Sequence, residues 1–199
     1  MPINRHFDLL APLYDHLIAP PDLGILRRLL DLPAQDRSPA PGWMLDAGGG
    51  TGRVSALLCP LVERLVICDL SQPMLIQAVE KGCVLPARAR SERLPFPDET
   101  FQRILVVDAF HHFGEQVGAL RELARVLRPG GRLVIEEPDI RRLPVKLIAL
   151  GETLLFMGSR FRAPDWVRDQ LAACGLETRV ETEQATAWVI GIKRNHAHH

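Results

Sequence analysis

Apolar runs of four to six residues alternate along this chain with stretches whose apolar positions recur every three or four residues. Trp43–Ala47 reads as a first strand, and Val54, Leu57, Leu58 and Leu61 after it form a helical stripe. Leu65–Cys68 reads as a second strand that ends at Asp69. Ser71 is placed to cap the next helix, with Pro73 in its first turn. Val84–Leu85 gives a short third strand. Ile104–Val107 gives a fourth, continuous in apolar residues and so expected to be buried on both faces. Val117, Leu120, Ala124 and Leu127 share one helix face, and Pro129-Gly130-Gly131 is expected to stop that helix. Leu133–Ile135 is a fifth strand. A helix over Pro164–Ala173 precedes two more strands, Leu176–Val180 and Ala187–Ile192. Strands alternating with helices in this way predict an α/β fold, a doubly wound and mostly parallel sheet with helices on both faces.

Two segments lie outside the alternation. Residues 1–42 hold a helical region near Leu23–Leu32 and a proline-rich linker from Pro33 to Pro41, and residues 138–165 sit between the fifth strand and the helix at Pro164. The 199 residues, 47% hydrophobic and 24% charged, suit one domain spanning 1–199 with a core that needs neither disulfides nor structural metal. With 24 basic and 24 acidic side chains the net charge is zero, which predicts no nucleic-acid partner. Cys59, Cys68, Cys83 and Cys174 form no CxxC pair, and they read as buried, reduced thiols in a cytoplasmic protein. No apolar run is long enough for stable membrane insertion, and Arg5, His6 and Asp8 argue against a signal-peptide core.

The most informative stretch is Leu45-Asp46-Ala47-Gly48-Gly49-Gly50-Thr51-Gly52-Arg53, which follows a strand and opens a helix. Glycines there permit a tight turn and let a ligand touch the backbone. Asp69, at the end of the second strand, is placed to accept hydrogen bonds from both hydroxyls of a ribose. Loop and acid together predict an adenosine-containing ligand. A dinucleotide loop would carry a third glycine in the pattern GxGxxG. That position is Arg53 counting from Gly48 and Ser55 counting from Gly50, which disfavours a nicotinamide cofactor.

The same string resembles the D-x-G-x-G-x-G signature of the class I S-adenosylmethionine-dependent methyltransferases. Further segments resemble that family in order and spacing: Cys68-Asp69-Leu70-Ser71-Gln72-Pro73-Met74-Leu75, then Leu94-Pro95-Phe96-Pro97-Asp98-Glu99-Thr100-Phe101, then Val126-Leu127-Arg128-Pro129-Gly130-Gly131, with Phe7–Asp15 similar to its lid segment. The nearest group is type 11, which includes quinone-biosynthesis methyltransferases. The resemblance implies a Rossmann-like seven-stranded sheet with an antiparallel last strand, N-terminal lid helices within 1–42 and a substrate-side insertion at 138–165. It implies S-adenosylmethionine as cofactor, with Gly48 and Gly50 at its methionine end, Asp46 supporting its amino group and Asp69 on the ribose. Leu70 and Met74 would pack on the adenine, and Asp108 would line the pocket. Where the family commonly carries an Asp for the adenine amino group this chain has Arg90, which cannot accept a hydrogen bond. Adenine recognition is therefore expected from the backbone near Ser91 and Glu92.

Methyl transfer from a sulfonium needs mainly alignment, and a base only where the nucleophile keeps its proton. Asp108-Ala109-Phe110-His111-His112 follows the fourth strand, where ligands of doubly wound folds bind, and His111 or His112 could take a proton there, His111 being the leading candidate base. Glu136 and Glu137 end the fifth strand at the same rim. No metal-ligand spacing is present, so no metal is expected. Leu143, Leu147, Leu150, Leu154 and Met157, widened by Ile148, Leu155 and Phe156, form a stripe. With Tyr14, Leu17 and Ile18 that stripe would roof the pocket for a small apolar or aromatic acceptor. The competing reading is a non-catalytic S-adenosylmethionine-binding partner or sensor, which Arg90 favours.

Overall fold

The computed structural model describes residues 21–34, 38–143, 145–146 and 159–195. The described strands are β1 (Ala40–Ala47), β2 (Val62–Asp69), β3 (Val84–Arg88), β4 (Phe101–Val107), β5 (Leu127–Pro138), β6 (Leu176–Glu183) and β7 (Thr186–Lys193). The described α-helices are α1 (Leu23–Leu30), α2 (Ser55–Leu58), α3 (Gln72–Glu80), α4 (Gln116–Val126) and α5 (Pro164–Ala173). The sheet has the order β3-β2-β1-β4-β5-β7-β6. β1 to β5 pair in parallel, and β7 runs antiparallel to both β5 and β6. This is the expected doubly wound α/β sheet with its last strand reversed. The strand order turns back between β1 and β4, and that switch point opens a crevice at the carboxyl ends of those strands.

Alternation along the central strands divides the core into two layers. Leu45, Ile104, Val106, Leu133 and Ile135 face one side, where Leu120 and Leu123 of α4 and Val167 and Leu171 of α5 cover them. Met44, Leu105 and Val134 face the other, against Leu26 and Leu29 of α1, Leu58 of α2, and Leu75 and Ala78 of α3. Both faces of β4 are buried, as its unbroken apolar run requires. α1 is tied to the sheet by Arg103 of β4, whose guanidinium donates to the carbonyls of Leu30, Asp31 and Pro41 at 2.9, 3.1 and 3.1 Å. Carbonyls at a helix C-terminus have no partner within the helix, so this cation satisfies them.

Three expectations change. The stripe from Val54 to Leu61 forms only one α-turn, followed by a 3-10 turn at Cys59–Leu61 that contains Pro60, and Leu57 is left exposed. The Pro129-Gly130-Gly131 stop comes too late: α4 ends at Val126 and β5 begins at Leu127. The turn residues are absorbed by a bulge, because Phe101 pairs with Leu127 and Arg103 with Arg132, two steps along β4 against five along β5. The four thiols are not all reduced, since Cys59 and Cys83 form a disulfide, with Cα atoms 6.2 Å apart, while Cys68 and Cys174 are free cysteines. A separation of 24 positions conceals that the two cysteines precede adjacent parallel strands, β2 and β3.

The lid segment around Phe7–Asp15 and Tyr14, Leu17 and Ile18, and the stripe from Leu147 to Met157, lie outside the described residues. Leu143, at the head of that stripe, is exposed. Among the described residues no helix is long and apolar enough to cross a membrane.

Candidate functional site

At the switch point a cleft is lined by Asp46, Gly48, Gly49, Gly50, Arg53, Val54 and Val107. The glycine loop leaves β1 at Gly48, whose N–H donates to the Cys68 carbonyl of β2 at 2.7 Å. The glycines have different tasks. A Cβ on Gly48 would stand 2.7 Å from the Ala109 Cβ, one on Gly49 2.7 Å from the Asp46 Cγ, and one on Gly52 2.9 Å from the Ala78 Cβ. These three let the loop pack on its neighbours. Gly50 has a left-handed φ of +55°, and a Cβ there would meet only the Met74 Sδ, at 3.6 Å. Of the three glycines that line the cleft, it is the one with room beside its Cα, as close approach to a ligand requires.

Asp69 stands beside it. Its Oδ2 accepts from the Gly50 N–H at 3.0 Å and its Oδ1 from the Ser71 N–H at 2.8 Å. The carboxylate is thereby oriented by the loop on one side and the start of α3 on the other. A carboxylate accepts about four hydrogen bonds in all, so this bracing is compatible with holding a diol. Ser71 caps α3 as expected, its hydroxyl accepting from the Met74 N–H at 3.4 Å. Met74 is buried beneath Gly50, and Leu70, half-buried, follows Asp69.

Asp46 lies under the loop, 1% exposed, and accepts from the Ser55 hydroxyl at 2.6 Å. Burial pushes its carboxyl up to about 6, against the Ser55 hydrogen bond and the Arg53 charge, which pull it down. Asp108, after the end of β4 and in the left-handed region at φ 50°, pairs with the guanidinium of the cleft residue Arg53 at 2.9 Å. Burial, then the Glu137 carboxylate, raises the Asp108 carboxyl above its ordinary range. Glu136 on β5 is buried and accepts from the Trp188 indole N–H at 2.6 Å, and burial pushes it up to about 7. Arg53 is the cation that faces Asp46, Asp108 and Glu136.

Of the expected residues, Asp46, Gly48 and Gly50 line the cleft, while Asp69 bonds to Gly50, Met74 lies against Gly50, Asp108 pairs with the cleft residue Arg53, and Leu70 follows Asp69. Ser91 is buried in the loop after β3. Glu92 is turned to the start of α4, where its Oε1 accepts from the Glu115 N–H at 3.0 Å. His111 sits in the 3-10 turn Phe110–His112, its Nδ1 2.5 Å from the Glu137 Oε2. Among the described residues no group of three or more His, Cys, Asp and Glu could hold a metal ion.

Sequence reading missed Arg53, Val54 and Val107 as cleft residues, and Ser55 as the partner of Asp46. The signal for Arg53 was available. A cation in a glycine loop between buried strands needs an acid, and Asp108 directly follows β4, the neighbouring strand in the sheet order.

A glycine loop at a topological switch point, with an acid at the end of β2 bonded to the loop itself, defines a domain built for a nucleoside-containing cofactor. A family model described as a methyltransferase domain matches residues 45–135. The ubiquinone/menaquinone biosynthesis C-methyltransferase UbiE of Enterobacter sp. (strain 638) is 38% identical over 184 residues, covering 77% of this chain and 73% of that protein. Its namesake in Escherichia fergusonii is 38% identical over 104 residues, so that the match spans 47% of this chain but only 41% of that relative. Among solved structures the YcgJ protein of Bacillus subtilis superposes with a TM-score of 0.73 at 21% identity, over 87% of this chain and 98% of that one. Phosphoethanolamine N-methyltransferase 2 of Haemonchus contortus, crystallised with S-adenosyl-L-methionine, gives 0.77 at 15% identity, over 98% and 59% of the two chains. The chain belongs to the class I S-adenosylmethionine-dependent methyltransferases, in the type 11 group.

Proposed function

We propose that the protein transfers a methyl group from S-adenosylmethionine to a small apolar or aromatic acceptor, of the quinol type that its relatives' names indicate. The observation that carries this reading is the Gly50–Asp69 hydrogen bond, which couples a ligand-facing glycine to a ribose-type acid at the mouth of the cleft. Bound there, the cofactor would supply an electrophilic methyl on a positively charged sulfur. Gly48 and Gly50 would border its methionine portion, with Asp46 near the amino group. Asp69 would accept from the ribose hydroxyls, and Leu70 and Met74 would flank the adenine. Ser91 and Glu92 would contribute backbone atoms, and Asp108 would line the pocket beside Arg53. His111 would serve as base toward an acceptor that keeps its proton. The zero net charge supports a small molecule over a nucleic acid as acceptor. We assign the protein to the cytoplasm, where this donor is available.

The test is transfer of labelled methyl from S-adenosylmethionine to a panel of reduced para-quinols, catechols and amines. A methylated quinol is the expected product. Donor binding without turnover of any acceptor would favour the non-catalytic reading, for which the exposed Arg90 speaks.

A further inference from the structure

Among the described residues β3 stands at one end of the sheet, paired with β2 alone, and Leu85, Pro86 and Arg88 on it are exposed. An edge strand that buries so little is held mainly at its two ends. Past its carboxyl end the Ala89 N–H donates to the Asp69 carbonyl at 3.2 Å, and the Arg88 Nε donates to the Leu70 carbonyl at 3.0 Å. β3 is thus tied to the backbone of the two residues proposed for the ribose and the adenine. Before its amino end stands Cys83, bridged to Cys59. The bridge joins both flanks of the glycine loop. Cys59 opens the 3-10 turn after α2, the helical turn into which the loop runs. Cys83 follows α3, whose C-cap Lys81 donates through its ammonium to the Thr51 carbonyl of the loop at 2.6 Å. Ala78 of the same helix closes on Gly52, where a Cβ would have no room. Cys83 itself is held at φ 58°, in the left-handed region that favours glycine, directly after Gly82 at φ 81°. Cys83 is exposed and Cys59 half-buried, so an external thiolate can reach the Cys83 Sγ.

We propose that the Cys59–Cys83 bridge is a thiol-exchange site that couples the redox state of small thiols around the protein to its affinity for the methyl donor. The inference rests on the donor-binding reading of the cleft. An external thiolate attacks the Cys83 Sγ, the sulfur–sulfur bond breaks, and Cys59 leaves as a thiolate that takes up a proton. A second external thiolate attacks the mixed disulfide, which frees Cys83 and forms the external disulfide. The bridge gains two electrons and two protons, and two external thiols are oxidised. Once the bridge is open, the turn at Gly82-Cys83 leaves its left-handed conformation. Lys81 then loses its fixed reach to Thr51, and β3 loosens against Asp69 and Leu70. In the reducing compartment proposed for this chain, a bridge of two cysteines is usually transient or redox-sensing rather than permanent.

The test compares the full chain before and after dithiothreitol, with a thiol titration recording the opening of the bridge. Calorimetry is expected to show S-adenosylmethionine and S-adenosylhomocysteine binding roughly tenfold more weakly to the opened chain, and reoxidation with glutathione disulfide to restore the affinity. Such coupling is reciprocal. Saturating S-adenosylhomocysteine should therefore make the bridge harder to open in a glutathione redox buffer by the same factor, a shift of about 30 mV. Hydrogen exchange should rise on opening over residues 81–90 and the glycine loop, and stay unchanged in β4 and β5. A chain carrying both Cys59→Ser and Cys83→Ser should bind with the weaker affinity whether or not dithiothreitol is present. Equal affinity in the closed and opened chain would overturn the proposal, as would a bridge that dithiothreitol does not open in the folded protein. Exchange rising uniformly across the sheet would also overturn it, by marking the bridge as a brace of the whole fold. Absence of donor binding in both forms would overturn the donor reading of the cleft, and with it the coupling. The exchange pattern would still decide whether the bridge holds β3.

Discussion

At the scale of single residues the cleft is a place where burial and charge pull in opposite directions. Asp69 gives one lone pair of each oxygen to Gly50 and Ser71, so under the proposed ribose role its removal would both withdraw an acceptor and loosen the loop. Asp69→Ala is expected to weaken S-adenosylmethionine binding by about 2–4 kcal/mol, from two hydrogen bonds to a charged acceptor at about 1.5–3 kcal/mol each less what water restores. Unchanged affinity in calorimetry would remove Asp69 from the site. Glu136 makes the second residue-scale prediction. Its carboxyl moves from an ordinary 4.5 to about 7 because it is buried, with Trp188 offering one compensating bond. The folded state therefore holds a proton that the unfolded chain has released. Stability falls as pH rises from about 4.5 towards 7 and is level above that. Glu136→Gln keeps an acceptor for Trp188 and carries no charge. It is expected to stabilise the protein by about 1–3 kcal/mol at pH 8 and to change nothing at pH 4. Urea denaturation at the two pH values measures this, and an equal effect at both would contradict the buried-charge account.

At the scale of elements, what the sequence made legible depended on whether the determining contact was local. The Ser71 cap, the span of α5 and the apolar run of β4 follow from neighbours in sequence, and each appears where the pattern predicts. The glycine loop and Asp69 were legible as a pair because both stand at the ends of neighbouring parallel strands, where Gly50 donates to Asp69. The ends of α4 and β5 were not, because the bulge that absorbs Pro129-Gly130-Gly131 is set by pairing with β4. Glu137 was visible as a rim acid, but its bond to His111 depends on which face of β5 it occupies. The cysteines are the clearest case. Cys59 opens the 3-10 turn before β2 and Cys83 immediately precedes β3, so only the parallel pairing of those strands brings them together. Closing a loop of this length removes unfolded-state entropy worth about 3 kcal/mol. A thiol titration of the unfolded, unreduced chain should find two reactive cysteines and four after reduction. Cys83→Ser should lower stability by about 3 kcal/mol relative to the oxidised wild type. Four thiols without reduction would show that the bridge does not form.

At the scale of the whole molecule, the reversed order at β1 and β4 gathers the glycine loop, Asp69, Asp108 and the His111 turn at one edge of the sheet. The edge proposed to bind the donor is therefore the one that carries the candidate base, and the disulfide braces the opposite ends of β2 and β3. A ligand that binds only this assembled edge stabilises the whole fold. At a hundredfold excess over its dissociation constant the gain is about 3 kcal/mol, or roughly 5–10 °C in Tm for a domain of this size. S-adenosylmethionine and S-adenosylhomocysteine are both expected to raise Tm in this way. NAD is expected to leave it unchanged, because Arg53 and Ser55 stand where a dinucleotide loop carries its third glycine. Turnover should also survive a chelator, since a neutral thioether leaves from the sulfonium without help from a Lewis acid. The combination is diagnostic. A shift with NAD would mean that the loop and Asp69 serve a dinucleotide. A shift with the sulfonium donor, together with activity lost in chelator and restored by a divalent cation, would mean that the acceptor is held through a metal which the carboxylates of this rim help to bind.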